Sequence, residues 1–132
     1  MGKGKEGMKY LLLIYNDEAA AAEYAANASP EEQEAQIKPW YDYGDWLTEK
    51  GWFVAGDALQ PTSTATSVRA TNGKPVVTDG PFAETKEQLG GYYLLDVANL
   101  DEAIEAGSRC PGATYGTIEL RPIQEFPTQP QG

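Results

Sequence analysis

Between Val76 and Leu95 the chain reads VVTDGPFAETKEQLGGYYLL, and the side chains best suited to chemistry gather there. Asp79, Glu84 and Glu87 supply carboxylates, Lys86 an amine, and Phe82 and Tyr92 aromatic rings. The chain has no histidine. Any general base working near neutral pH must therefore be a carboxylate raised by burial or a lysine depressed by it. Asp79 is the leading candidate for a catalytic role. The competing reading is local: an aspartate ahead of Gly80-Pro81 accepts from the following amides and starts a turn. Phe82 either stacks on a ligand or anchors the loop in the core. Glu84, Lys86 and Glu87 form an acid–base–acid run. It reads as a polar rim that orients a substrate, or as a solvated loop whose surface ion pairs each contribute about 0–1 kcal/mol.

Other side chains extend the candidate ligand-binding set of Phe82, Glu84 and Lys86. Tyr92 and Tyr93 alternate faces of one strand, so one packs inward while the other offers a phenol to a cleft. Tyr15, at the end of an apolar run, is a similar cleft candidate. Arg69 and Arg121 each sit in an apolar strand, where an arginine meets either an anionic ligand or a structural carboxylate such as Asp57 or Glu119. Cys110, in Arg-Cys-Pro, has no histidine to activate it and reads as structural.

Several chemistries lack their residues. The sequence has no GxxxxGKS/T or GxGxxG loop for phosphates and no GxSxG elbow. Without histidine, and with one cysteine, it has no zinc set, and no DxDxDG spacing for calcium. No metal and no cofactor is expected. The formal net charge is −10, and the first seven residues contribute +1, which leaves about −11 on the rest. Such a field repels phosphate backbones and anionic membranes, so a nucleic-acid or membrane partner is not expected. One cysteine forms no internal disulfide, which fits a reducing cytoplasm. No apolar run approaches the roughly 20 residues of a membrane helix.

The length of 132 residues corresponds to about one domain, large enough to hold a core without staples. The glycine- and lysine-rich residues 1–7 read as a disordered or non-native extension, and the proline-rich residues 127–132 as a loose tail. Between them, Lys9 to Tyr15 (KYLLLIY) is a continuous apolar run of strand length. Ala19 to Ala28 has helical propensity without an apolar stripe. Ser29-Pro30-Glu31-Glu32 is a capping-box helix start, followed by Ile37, Trp40, Tyr41, Gly44 and Leu47 at helical spacing. Pro39 inside that pattern predicts a kink or break. Trp52 to Gly56 reads as a strand, and Asn72-Gly73 as a hairpin turn between Thr66–Ala70 and Lys74–Thr78. Gly91 to Val97 is a further strand, Asn99 to Glu102 starts a second helix, and Thr117 to Ile123 is the last strand. The dozen residues between Thr78 and Gly91 have neither period, and loops of that length tend to be functional or disordered.

This order predicts an α+β domain of the ferredoxin-like, split βαβ type with an antiparallel sheet. Its helices cover only one sheet face. Leu11, Leu13, Val54, Tyr92, Leu94 and Ile118 are the candidates for the other, and a second copy of the chain is the expected cover, which makes a homodimer.

The string DGPFAETKEQLGGYYLLDV resembles the signature of the YCII-related family, in its DGPF branch. MKYLLLIYNDE, GDALQPTSTATSVR, KPVVTDGPF and YGTIELRPI agree with it, so that the resemblance spans residues 8–126. It implies a dimeric ferredoxin-like α+β barrel with a small-molecule cleft beside the 78–91 loop. Related proteins are discussed as enzymes using a histidine–aspartate pair, which a chain without histidine cannot reproduce. The resemblance also implies a link of this branch to extracytoplasmic-function sigma factors. Two readings follow: a small-molecule domain with acid–base, lyase-like chemistry at Asp79, or a non-catalytic regulatory or ligand-sensing protein.

Overall fold

The computed structural model describes residues 7–127. The expected extension (1–7) and tail (127–132) lie outside the described residues, save for Gly7 and Pro127. Six strands and three α-helices follow in the order β1 (Met8–Asn16), α1 (Glu18–Asn27), α2 (Pro30–Glu49), β2 (Phe53–Ala58), β3 (Thr66–Thr71), β4 (Lys74–Asp79), β5 (Gln88–Val97), α3 (Leu100–Arg109) and β6 (Thr117–Pro122). Short 3-10 turns stand at Thr62–Thr64 and Pro111–Thr114.

Four strands form one sheet in the order β2-β5-β1-β6, with every neighbouring pair antiparallel. That is the split βαβ order: β5 lies between β1 and β2, and β1 between β5 and β6. Alternation along β1 sorts its side chains. Tyr10, Leu12 and Ile14 are buried on the helix side, where they meet Leu95, Val97, Leu47, Tyr43 and Trp52. α3 adds Ala103, Ala106 and Cys110 to this core. Leu11, Leu13 and Tyr15 point to the opposite, open face and are half-buried there.

Each helix starts on a side chain that satisfies free amides. Asp17 accepts from the Ala20 amide at 3.1 Å, and Ser29 and Glu32 form the reciprocal capping box. Asn99 accepts from Glu102 at 3.0 Å, while the Glu102 carboxylate reaches the Ala98 amide at 2.8 Å. Asn72 (φ 53°) and Gly73 (φ 79°) both take positive φ in the turn joining β3 to β4. This is the backbone of a two-residue hairpin loop of type I′.

Four expectations are corrected. No barrel forms: among the described residues β2 and β6 end the sheet as free edges, and β3–β4 is a separate two-stranded sheet. Four strands are too few to curl shut, since closure around a side-chain-filled interior takes about eight. Second, the helix does not break at Pro39, because α2 continues through it. The missing amide costs one bond on an exposed stretch, where water can solvate the freed Ala35 carbonyl, and the helix stays anchored by Tyr43 and Leu47. Third, Ile118 packs on the core rather than on the open face, because it lies opposite Ile14 in the β1–β6 register. Fourth, β5 begins at Gln88 instead of Gly91, which shortens the loop after β4 to residues 80–87. The extra strand length is gained at a bulge: Ile14 pairs with Gly91 and Tyr15 with Leu89, so Gly90 is the residue left over.

Candidate functional site

The β3–β4 hairpin and the loop behind it stand away from the sheet. Asp79 is the last residue of β4 and is exposed. Gly80, at φ 93°, donates its amide to the Ala65 carbonyl at 2.6 Å, and the Ser67 hydroxyl donates to the Gly80 carbonyl at 2.8 Å. Together these bonds close the hairpin base at Gly80, while the Asp79 carboxylate accepts no hydrogen bond among the described residues. Phe82 is 81% exposed and does not plug the core. Glu84 and Lys86 are exposed, and neither makes an ion pair among the described residues. Arg69 is exposed on the hairpin opposite Val76, with no carboxylate partner among the described residues. Asp79, Phe82, Glu84, Lys86 and Arg69 therefore do not converge on an enclosed space.

The two tyrosines do come onto one surface. Tyr92 lies opposite Leu13 on the open face, and Tyr15 lies two residues further along β1. The Tyr92 hydroxyl donates to Asp57 Oδ2 at 2.8 Å, and that carboxylate raises the phenol above its ordinary value. Burial and the neighbouring Glu119 carboxylate do the same to Tyr15. Both phenols thus stay protonated at neutral pH, and Tyr92 acts as a donor to an acidic side chain.

On the other side of the sheet, α2 overhangs the bulged end of β1 and β5. The cleft between them has a volume of about 380 Å³. Ile37, Trp40 and Tyr41 form its α2 wall, and Tyr93 and Tyr115 stand across from them. The floor is glycine. A Cβ on Gly56 would lie 2.6 Å from Tyr93 Cδ1, and one on Gly91 would lie 3.1 Å from the Asp57 carbonyl. A side chain at Gly56 would thus displace the Tyr93 ring, and one at Gly91 would press on the β2 backbone. Asn16 closes one end, with Oδ1 3.2 Å from the place a Gly90 Cβ would take.

Ile37 remains 49% exposed and Tyr41 71% exposed, so the apolar stripe of α2 runs past the core and over this cleft. The helical spacing of Ile37, Trp40 and Tyr41 was legible as a sheet-facing stripe. That the stripe stops short of the sheet is visible only in three dimensions. A broader groove of about 610 Å³ lies on the far side of Trp40, between α2 and the Pro111–Thr114 turn.

The chemical equipment of the cleft is narrow. No lysine, arginine or cysteine lines it, and Asp57 is its one carboxylate residue, with the carboxylate itself engaged by Tyr92. Burial raises the Tyr93 and Tyr115 phenols, and the Trp40 indole opposes the rise at Tyr115. What remains is an aromatic, hydrogen-bonding surface without a base. Elsewhere, Tyr43 donates to the Ala106 carbonyl at 2.6 Å inside the core. Burial pushes the Cys110 thiol from 9.0 to about 11, which keeps it protonated and inert at neutral pH. Among the described residues no three acidic or thiol side chains are grouped to hold a metal ion. No helix among them is long and apolar enough to cross a membrane.

An α+β domain with a split βαβ sheet, one open face and an aromatic cleft is thus the class of protein in view. The model of the YCII-related domain matches residues 8–127, and the chain belongs to that family. It is 38% identical over 118 residues to an uncharacterised protein of Rhizobium meliloti (strain 1021), covering 88% of this chain and 92% of that protein.

Proposed function

We propose that this domain binds a small molecule in the cleft under the middle of α2, and acts as a ligand-sensing rather than a catalytic protein. The observation that carries this reading is the stripe Ile37, Trp40 and Tyr41, left facing a glycine-floored space of about 380 Å³ that no side chain fills. Small-molecule sites are commonly concave, largely apolar spaces of about 300–1,000 Å³ with a few polar groups. The absence of a free base among the lining side chains favours binding over acid–base chemistry. Asp79 is exposed at a hairpin base and does not line the cleft. A sensing role also accommodates the link to extracytoplasmic-function sigma factors that the resemblance implies.

The same reading assigns a second copy of the chain to the open sheet face. Leu11, Leu13 and Leu94 share that face with Tyr92 and Tyr15, and no helix among the described residues covers them.

A thermal-shift screen of small metabolites, followed with Trp40→Leu and with Asp79→Asn, tests the site. Ligands of the folded state raise the melting temperature. The expected result is a set of shifts lost in Trp40→Leu and kept in Asp79→Asn. Shifts lost in Asp79→Asn but kept in Trp40→Leu would move the site to the hairpin loop.

A further inference from the structure

The three tryptophans differ in one respect. Lys50 Nζ lies 4.9 Å from the centre of the Trp52 ring, and the Arg109 guanidinium lies 4.6 Å from that of Trp46. Each of these indoles thus holds a cation supplied by the protein itself. Trp40 holds none among the described residues, and it is the tryptophan that lines the cleft. Tyr41, Tyr92, Tyr93 and Tyr115 bring the number of aromatic residues lining it to five, with no positively charged residue among the lining side chains.

We propose that the cleft takes a small organic cation, a protonated or quaternary amine, held against Trp40 and Tyr41. The inference rests on the cleft reading above and gives it a ligand class. Aromatic faces carry negative potential, and a desolvated cation over one gains up to about 2 kcal/mol. Asn16 lines the same space, and its carboxamide makes no hydrogen bond among the described residues, so Oδ1 is free to accept from an ammonium N–H. A carboxylate or phosphate ligand would find no cationic partner in the cleft. The net charge of −10 acts in the same direction, concentrating cations and repelling anions around the whole surface.

The probes are choline, its uncharged carbon isostere dimethylbutanol, and the anion dimethylbutanoate. Each is titrated into the full chain while the indole N–H resonance of Trp40 is followed by NMR. Choline is expected to shift that resonance saturably, with dimethylbutanol at least about tenfold weaker, the ratio that corresponds to about 1.4 kcal/mol. Dimethylbutanoate is expected to leave it unmoved. Choline affinity is expected to fall as salt rises and to drop about tenfold in Tyr41→Leu, a change at an exposed position that spares the core.

Equal binding of choline and dimethylbutanol would overturn the cation assignment and leave the cleft standing as an apolar site. A choline complex that shifts Trp46 or Trp52 and spares Trp40 would overturn the cleft reading itself. Silence of Trp40 toward choline would overturn the cation assignment, with the metabolite screen deciding the cleft separately.

Discussion

Tyr43 and Cys110 are the residues at which this core is sensitive to pH. Tyr43 reaches across from α2 to donate to the Ala106 carbonyl, one of the last four of α3, which lack an acceptor role within the helix. Burial raises its phenol well above the ordinary value of 10.0, and Cys110 adds to the rise. The Cys110 thiol is itself raised from 9.0 to about 11, mainly by burial. Both groups must be neutral in the folded state, whereas the unfolded chain can ionise them. Their stabilising contribution is thus complete below pH 9 and is lost as pH rises from about 9 toward 11 and beyond. Urea unfolding at intervals from pH 8 to 11 should show stability falling by on the order of 2 kcal/mol across that window from Cys110 alone. Cys110→Ala starts from a lower stability because of its cavity, yet its decline between pH 9 and 11 should be shallower. An equally steep decline in that variant would show that the thiol has no part in it.

At the scale of elements, the ends were easier to read than the faces. The Ser29–Glu32 and Asn99–Glu102 caps and the Asn72-Gly73 turn depend on bonds within a few residues, and the structure forms all three. The fate of the DGPF loop depends on where the hairpin before it projects. A distinctive string does not carry that information, so for Asp79, Glu84 and Lys86 the sequence left the site reading and the turn or solvated-loop reading both open. The cleft was hidden for the opposite reason. Trp40 and Tyr41 from α2, Gly56 from β2, Gly91 from β5 and Tyr115 after α3 meet only through the sheet order. Pro39 illustrates how tertiary packing overrides a local preference. It lies in the middle of α2, one residue before Trp40, in a helix whose capping box and buried Tyr43 and Leu47 hold both ends. A proline in a helix interior costs about 3 kcal/mol relative to alanine. Pro39→Ala should therefore raise stability by roughly 1–3 kcal/mol, measured as an upward shift in the urea midpoint with unchanged slope. Loss of stability in this variant would mean that the ring itself packs against the groove beside Trp40.

For the whole molecule, two apolar surfaces lack a cover among the described residues. One is the open face of the sheet around Leu11, Leu13 and Leu94. The other is one side of the β3–β4 hairpin, where Val68 and Val77 are cross-strand partners and are each 62% exposed. Arg69, Thr71 and Lys74 lie on the opposite side of that ribbon, so the hairpin is amphipathic although Val68 and Val77 stay exposed among the described residues. A lone two-stranded hairpin is marginally stable in water, and an amphipathic one is suited to rest on a surface. A second copy of the chain offers such surfaces in self-complementary form, as a two-fold pair requires. Charge opposes the pairing, because each copy carries −10. Screening that repulsion should tighten the dimer as salt rises, the reverse of the dependence expected for a cationic ligand. Sedimentation velocity over a range of micromolar concentrations should show a monomer–dimer equilibrium that shifts toward dimer between low and moderate salt. Leu94→Lys, on the open face, should shift it to monomer while the far-ultraviolet circular dichroism is retained. Amide exchange in residues 66–79 should slow on dimerisation if the hairpin rests on the partner. A wild-type chain that stays monomeric throughout would require another partner for both faces, and a dimer untouched by Leu94→Lys would move the contact away from the open sheet.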